Sequence, residues 1–177
     1  MKKLVFLMMA CVLCLVSCKN NKPTPEPEPE PEFCGYNYEQ VMNEDMMNYG
    51  KYVFYESQIL FDTNVCEDSV NVVWIMNVFQ NEDTCIRVIH DNGQTEVEKV
   101  NDYWLEDCQV YYENVSLTLE AAKKELQKLD TKVESKFCTL RRPLWKVDYP
   151  HAFYIFGDTQ FNHFYAVDSE TGEITEM

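Results

Sequence analysis

Three histidines and a set of cysteines are the residues of this chain best equipped for chemistry, and their spacing argues against most of it. Cys85 and His90 stand closest, in the strand-like run "TCIRVIH". They are five positions apart. That is an odd spacing on a strand, so the side chains leave on opposite faces and cannot form a thiol–imidazole pair unless a bulge intervenes. His151 and His163 could meet across a hairpin, with Asp148 or Asp158 adding a carboxylate. This is the best metal candidate in the sequence, but metal sites usually need three or four convergent ligands. The expectation is therefore solvated histidines and no metal. Glu82-Asp83, Glu106-Asp107 and the trio Asp168, Glu170 and Glu173 would suit a glycosidase if two of them flanked an aromatic platform. At strand ends they are better read as solvated surface. No G-x-S-x-G elbow, H-E-x-x-H helix, P-loop or G-x-G-x-x-G occurs, and the whole chain has five glycines. Phosphate-cradling loops are accordingly not expected. No catalytic residue and no cofactor is assigned.

Cys34, Cys66, Cys85, Cys108 and Cys138 contain no C-x-x-C pair, which argues against structural zinc. In an exported chain they would serve as disulfides or as small buried apolar groups, and the sequence leaves both open. The formal charge of −15 disfavours nucleic acid and anionic membrane surfaces as partners. Ten Phe, eleven Tyr and three Trp supply a core or a binding face.

The elements that must position these residues follow from periodicity. Asn37 caps a helix with Gln40 three residues on, and Tyr38, Met42, Met46 and Tyr49 recur at helical spacing. Runs at 51–61, 69–80 and 84–90 read as strands. Asp91-Asn92-Gly93 makes a hairpin turn into a return strand at 95–100. Thr118 caps a second helix, "LEAAKKELQKL", whose Leu119, Ala122, Leu126 and Leu129 form one apolar face. Strands are expected within 137–149, at 151–156 and 161–168, and in the final "EITEM". The class is α+β: helix packed on an antiparallel meander. The two helices and the two turn glycines, Gly93 and Gly172, are similarly spaced. That suggests duplicated helix-plus-four-strand units, against coincidence as the alternative.

At the N-terminus, Lys2 and Lys3 precede an apolar run from Leu4 to Val16 that is too short to span a bilayer. Leu15-Val16-Ser17-Cys18 resembles the lipobox of bacterial lipoproteins. The resemblance implies that 1–17 is a signal peptide and that Cys18 is the lipid-attachment site. Lys19, in place of Asp, points to the outer membrane rather than the inner. In 18–32 prolines alternate with Thr24 and four glutamates. Such a tract favours extended polyproline II and reads as a stand-off tether between the lipid and the domain.

The C-terminal part resembles a PepSY-like module, in which an alanine-bearing helix precedes strands ending in a Tyr-x-Val-Asp-x-x-Thr-Gly-Glu turn. Tyr165, Val167, Asp168, Thr171, Gly172 and Glu173 fit that ending. The resemblance covers 113–177 and leaves 33–112 as a separate α+β half that can form one domain with it. It implies a small non-enzymatic binding module, inhibitory or protein-binding. The expected binding face comprises Trp145, Tyr149, Phe153, Tyr154, Phe164 and Tyr165, with one member of the adjacent pair Phe153/Tyr154 exposed by strand alternation. The reading is an outer-membrane or surface-exposed lipoprotein, held by lipid through Cys18, that binds an envelope protein or glycan. Its rivals are a small envelope hydrolase or glycan-active enzyme, and a structural component of an envelope assembly.

Overall fold

The computed structural model describes residues 33–62, 71–101, 106–129, 135–143, 149–158 and 163–177. The expected signal peptide, Cys18, the expected tether, Cys66, Trp145 and Asp148 lie outside them, as do the side chains of Asp158 and His163.

Helix α1 (Tyr38–Asn48) is followed by β1 (Val53–Asp62), β2 (Asn71–Gln80), β3 (Cys85–Asp91) and β4 (Gln94–Val100). Two short 3₁₀ turns, Glu106–Cys108 and Tyr112–Asn114, lead to α2 (Leu119–Leu126). Then come β5 (Phe137–Arg141), β6 (Phe153–Asp158), β7 (His163–Asp168) and β8 (Ile174–Glu176). The eight strands form one antiparallel sheet in the order β4-β3-β2-β1-β5-β6-β7-β8. The fold is thus α+β and mostly sheet. The first strand after each helix meets the other in the middle, where Gln58 pairs with Thr139.

Both helix starts use local chemistry. Asn37 Oδ1 accepts the Gln40 N–H at 2.9 Å, and Thr118 Oγ1 accepts the Ala121 N–H at 3.1 Å. The second helix has a further partner, because Glu39 in the first turn of α1 accepts the Leu119 N–H at 2.8 Å. A carboxylate there also complements the positive end of the helix. At the β3–β4 hairpin, Asn92 (φ 46°) and Gly93 (φ 76°) both adopt the left-handed conformation that a two-residue turn demands.

One side of the sheet is covered by helices. Tyr38, Val41 and Met42 of α1 and Leu119, Ala122 and Leu126 of α2 pack on Phe54, Ile59, Ile75, Phe79, Leu140 and Phe156. Burying each large side chain contributes roughly 1.5–3 kcal/mol. This side also holds a polar group that the apolar pattern of α1 does not announce. Asp45 Oδ2 accepts the Asn77 side-chain N–H at 2.7 Å and meets His90 Nε2 at 2.9 Å, all three residues being buried.

Within the expected run 137–149, strand β5 ends at Arg141, Arg142 and Pro143 are not strand, and 144–148 lie outside the described residues. Pro143 has no N–H for a ladder and disfavours continuation through the residue before it. Cys34 is disulfide-bonded, while Cys85, Cys108 and Cys138 carry buried thiols. Burial pushes the Cys138 thiol well above its usual range.

Candidate interaction face

Residues paired across an antiparallel ladder share a face, so the register defines what the other side of the sheet presents. Three rows cross it. The first runs from Trp74 on β2 through Leu60 and Phe137 to Phe164 on β7. The Phe137 ring lies over Gly157, which is paired with Phe164, and a methyl group at Gly157 would run into that ring. Glycine is required there by close approach, not by backbone conformation. The second row is Met76, Gln58, Thr139, Ile155 and Ala166, with Ile89 continuing it on β3. The third is Arg87, Val78, Glu56, Arg141, Phe153 and Asp168.

These rows differ in access. Leu60 and Phe164 are 42% and 41% exposed, and Trp74, Met76, Phe137 and Ile155 are half-buried. In the third row Val78, Glu56, Phe153 and Asp168 are all buried. The open part of the face is therefore the first two rows, except at Ala166, which is buried at the β7 end of the second. From β2 to β7 those rows carry no charged side chain, in a protein of which a quarter of the residues are charged. Gln58 and Thr139 are the polar side chains at its centre, and the Gln58 amide already donates to Glu56.

The covered row ends in a polar cluster. Tyr149 stacks beside Phe153 at 5.4 Å and donates its hydroxyl to Asp168 Oδ2 at 2.8 Å. His151 Nδ1 meets the same oxygen at 2.9 Å, and its Nε2 lies 3.3 Å from Glu170. Asp168 Oδ1 accepts the N–H groups of Glu170 and Thr171 at 2.8 and 3.0 Å, closing the β7–β8 turn. Desolvation pushes the Asp168 carboxyl up, but these hydrogen bonds outweigh it and hold the group below its ordinary value. The bond to Asp168 raises the Tyr149 phenol. An imidazole between two carboxylates resembles the orienting half of a hydrolase triad. Here, however, Nε2 faces Glu170 where a triad would place its nucleophile. The cluster can pin a turn, and its donors and acceptors are used in doing so. At the centre of the sheet Glu56 is held similarly, by Gln58 at 2.6 Å and by Arg141 at 3.1 Å.

The residues expected to form a binding face are divided by this geometry. Phe164 is on the open rows. Phe153 is on the same side but buried beneath Tyr149, which is itself half-buried. Tyr154 and Tyr165 point the other way, into the helix-covered core, where the Tyr154 hydroxyl donates to Leu117 O at 3.0 Å. Neither Phe153 nor Tyr154 is exposed, at 3% and 1%, because the sheet is covered on both sides at that end. Trp74, Leu60, Phe137, Met76 and Ile155 are on this face without belonging to the set expected from the sequence. A signal for part of them exists in the alternation of Trp74 and Met76 with the buried Ile75, Asn77 and Phe79.

His151 and His163 are not brought together. His151 serves the Asp168 end of the β6–β7 hairpin, whereas His163 pairs with Asp158 at the opposite end. Among the described residues no group of three His, Cys, Asp or Glu could hold a metal ion, and no helix is long and apolar enough to cross a membrane.

No family model matches this chain, and no curated protein matches it. Among solved structures it is similar to the "putative lipoprotein (CD1622)" of Clostridium difficile 630, with a TM-score of 0.52 and 14% sequence identity. That likeness covers 84% of this chain and 97% of the other, and at this identity what the two share is a fold.

Proposed function

We propose that this protein is a lipid-anchored, outer-membrane or surface-exposed binding protein, without catalytic activity, whose uncharged sheet face docks on another envelope protein. The observation that carries the reading is the composition of the two open rows. Interface cores are depleted of charge and enriched in Trp, Phe and Met, and these rows have that character in a strongly acidic chain. From β2 to β7 they cross about 19 Å, at about 4.8 Å per strand. That breadth fits a protein surface better than a saccharide, which would call for more polar groups around its hydroxyls.

The lipobox-like Leu15-Val16-Ser17-Cys18 places the anchor at Cys18, and the Pro/Glu tract of 18–32 serves as the tether. The fold neighbour is itself called a "putative lipoprotein", which supports lipid anchoring alone. In this proposal the PepSY-like half, 113–177, is the second copy of an ancestral helix-plus-four-strand unit and 33–112 is the first. The repeated order of elements and the central β1–β5 pairing support that descent.

The test is affinity capture from detergent-solubilised envelopes with the full chain, beside Trp74→Ala and Phe164→Ala variants. Each substitution should weaken capture by about 1–2 kcal/mol while leaving the thermal midpoint nearly unchanged. Cys18→Ala should abolish fatty-acid labelling and release the protein from the membrane fraction. Undiminished capture by the double variant would overturn the face, and hydrolytic activity lost in His151→Ala would overturn the non-catalytic reading.

A further inference from the structure

The two edges of the sheet are built differently. β8 is three residues long, so it offers little to pair with. β4 is seven residues long, its register with β3 runs unbroken from Gln94 to Val100, and Gln94 to Lys99 are all exposed. It contains no proline and no bulge, and the only edge-guarding feature on it is the charge of Glu96, Glu98 and Lys99.

The two-residue turn fixes which backbone groups face outward. Asp91 and Gln94 flank it and form a bonded pair, so bonded pairs recur at Ile89/Glu96, Arg87/Glu98 and Cys85/Val100. Thr95, Val97 and Lys99 therefore turn their N–H and C=O groups away from β3. Their side chains lie on the helix side of the sheet, where Val97 is 46% exposed. Glu96 and Glu98 lie on the other side, at the positions where an added antiparallel strand would bring its side chains closest.

We propose that β4 is a docking edge for an extended segment of another protein, one carrying Lys or Arg opposite Glu96 and Glu98 and an apolar residue opposite Val97. Charge selects this occupant over a second copy of the chain. Antiparallel self-pairing about Val97 would set Glu96 of each copy against Glu98 of the other, and like charges directly opposite are destabilising. Across β3, Glu96 directly faces the apolar Ile89. Glu98 faces Arg87 and contributes less to the selection. The edge lies outside the uncharged rows, so the two surfaces can fail independently.

The probe is a short capped peptide alternating Lys with Val and Thr, titrated against the full chain in detergent by fluorescence anisotropy. Binding is expected, and Val97→Pro should weaken it at least about tenfold, because proline removes an outward N–H without touching a β3–β4 bond. Glu96→Lys combined with Glu98→Lys should weaken it roughly tenfold, and Trp74→Ala should leave it unchanged. Should Val97→Pro fail to fold, the same peptide N-methylated at alternate amides asks the question from the partner's side and should not bind. The proposal is overturned if the peptide does not bind, if its N-methylated form binds equally, or if folded Val97→Pro retains full affinity. It is also overturned in favour of self-pairing if the free protein sediments as a dimer that Val97→Pro dissociates.

Discussion

Among the described residues, each half of the sheet holds one histidine against one aspartate at 2.9 Å, and the two pairs lie on opposite sides of it. In the first half Asp45 of α1 meets His90 of the sheet, their side chains only 3% and 8% exposed, with Asn77 as a third member and Thr95 Oγ1 3.0 Å from the other ring nitrogen. In the second half Asp168 is buried but His151 is 24% exposed, and the pair closes a turn rather than holding a helix. The same two side chains thus do different work. Where the pair is enclosed, removing one partner strands the others without water. Where one partner reaches solvent, water can replace what is lost.

That contrast sets the order of expected effects. Asp45→Ala should be the most damaging, at about 3–5 kcal/mol, because it leaves buried His90 and Asn77 donors unpaired. The urea midpoint measures it. If Asp168→Ala cost as much, enclosure would not be what separates the pairs.

Gly157→Ala should cost about 1–3 kcal/mol, since its methyl group must displace the Phe137 ring. The same change in a Phe137→Leu background should cost clearly less. Additive midpoints would show that Phe137 does not rest on Gly157 and would dissolve the first open row.

Asp168→Asn should have the smallest effect, about 1–2 kcal/mol near neutral pH, because the amide oxygen can still accept the turn N–H groups. Its pH dependence is more telling than its size. The folded carboxyl is held below its ordinary value, so the wild-type advantage is full above the unfolded value of about 4. It is lost as pH falls through the lower folded value. Thermal midpoints of the two proteins should therefore converge in acid, and a constant gap would remove the carboxylate from the account.

Much of the fold was legible in single segments. The Thr118 cap, the Leu119/Ala122/Leu126 stripe and the Asn92-Gly93 turn are read from neighbouring residues, because the hydrogen bonds and the periodicity that produce them span only a few positions. The binding face was less legible. Alternation assigns Phe153 and Tyr154 to opposite sides of a strand, and it does so correctly. It does not say that both sides are covered at that end, which depends on Tyr149 and the Asp168 turn above one and the helices beneath the other.

By itself, then, the sequence determined the α+β class, both helices, most strand positions and the separation of Cys85 from His90 by face. All of these depend on local geometry and a period of two or 3.6. Tertiary structure alone decided that β1 meets β5, and hence that Trp74 and Leu60 join Phe137 and Phe164 in one uncharged row. Register between distant strands is set by the packing of a shared core, and no short stretch of sequence carries it.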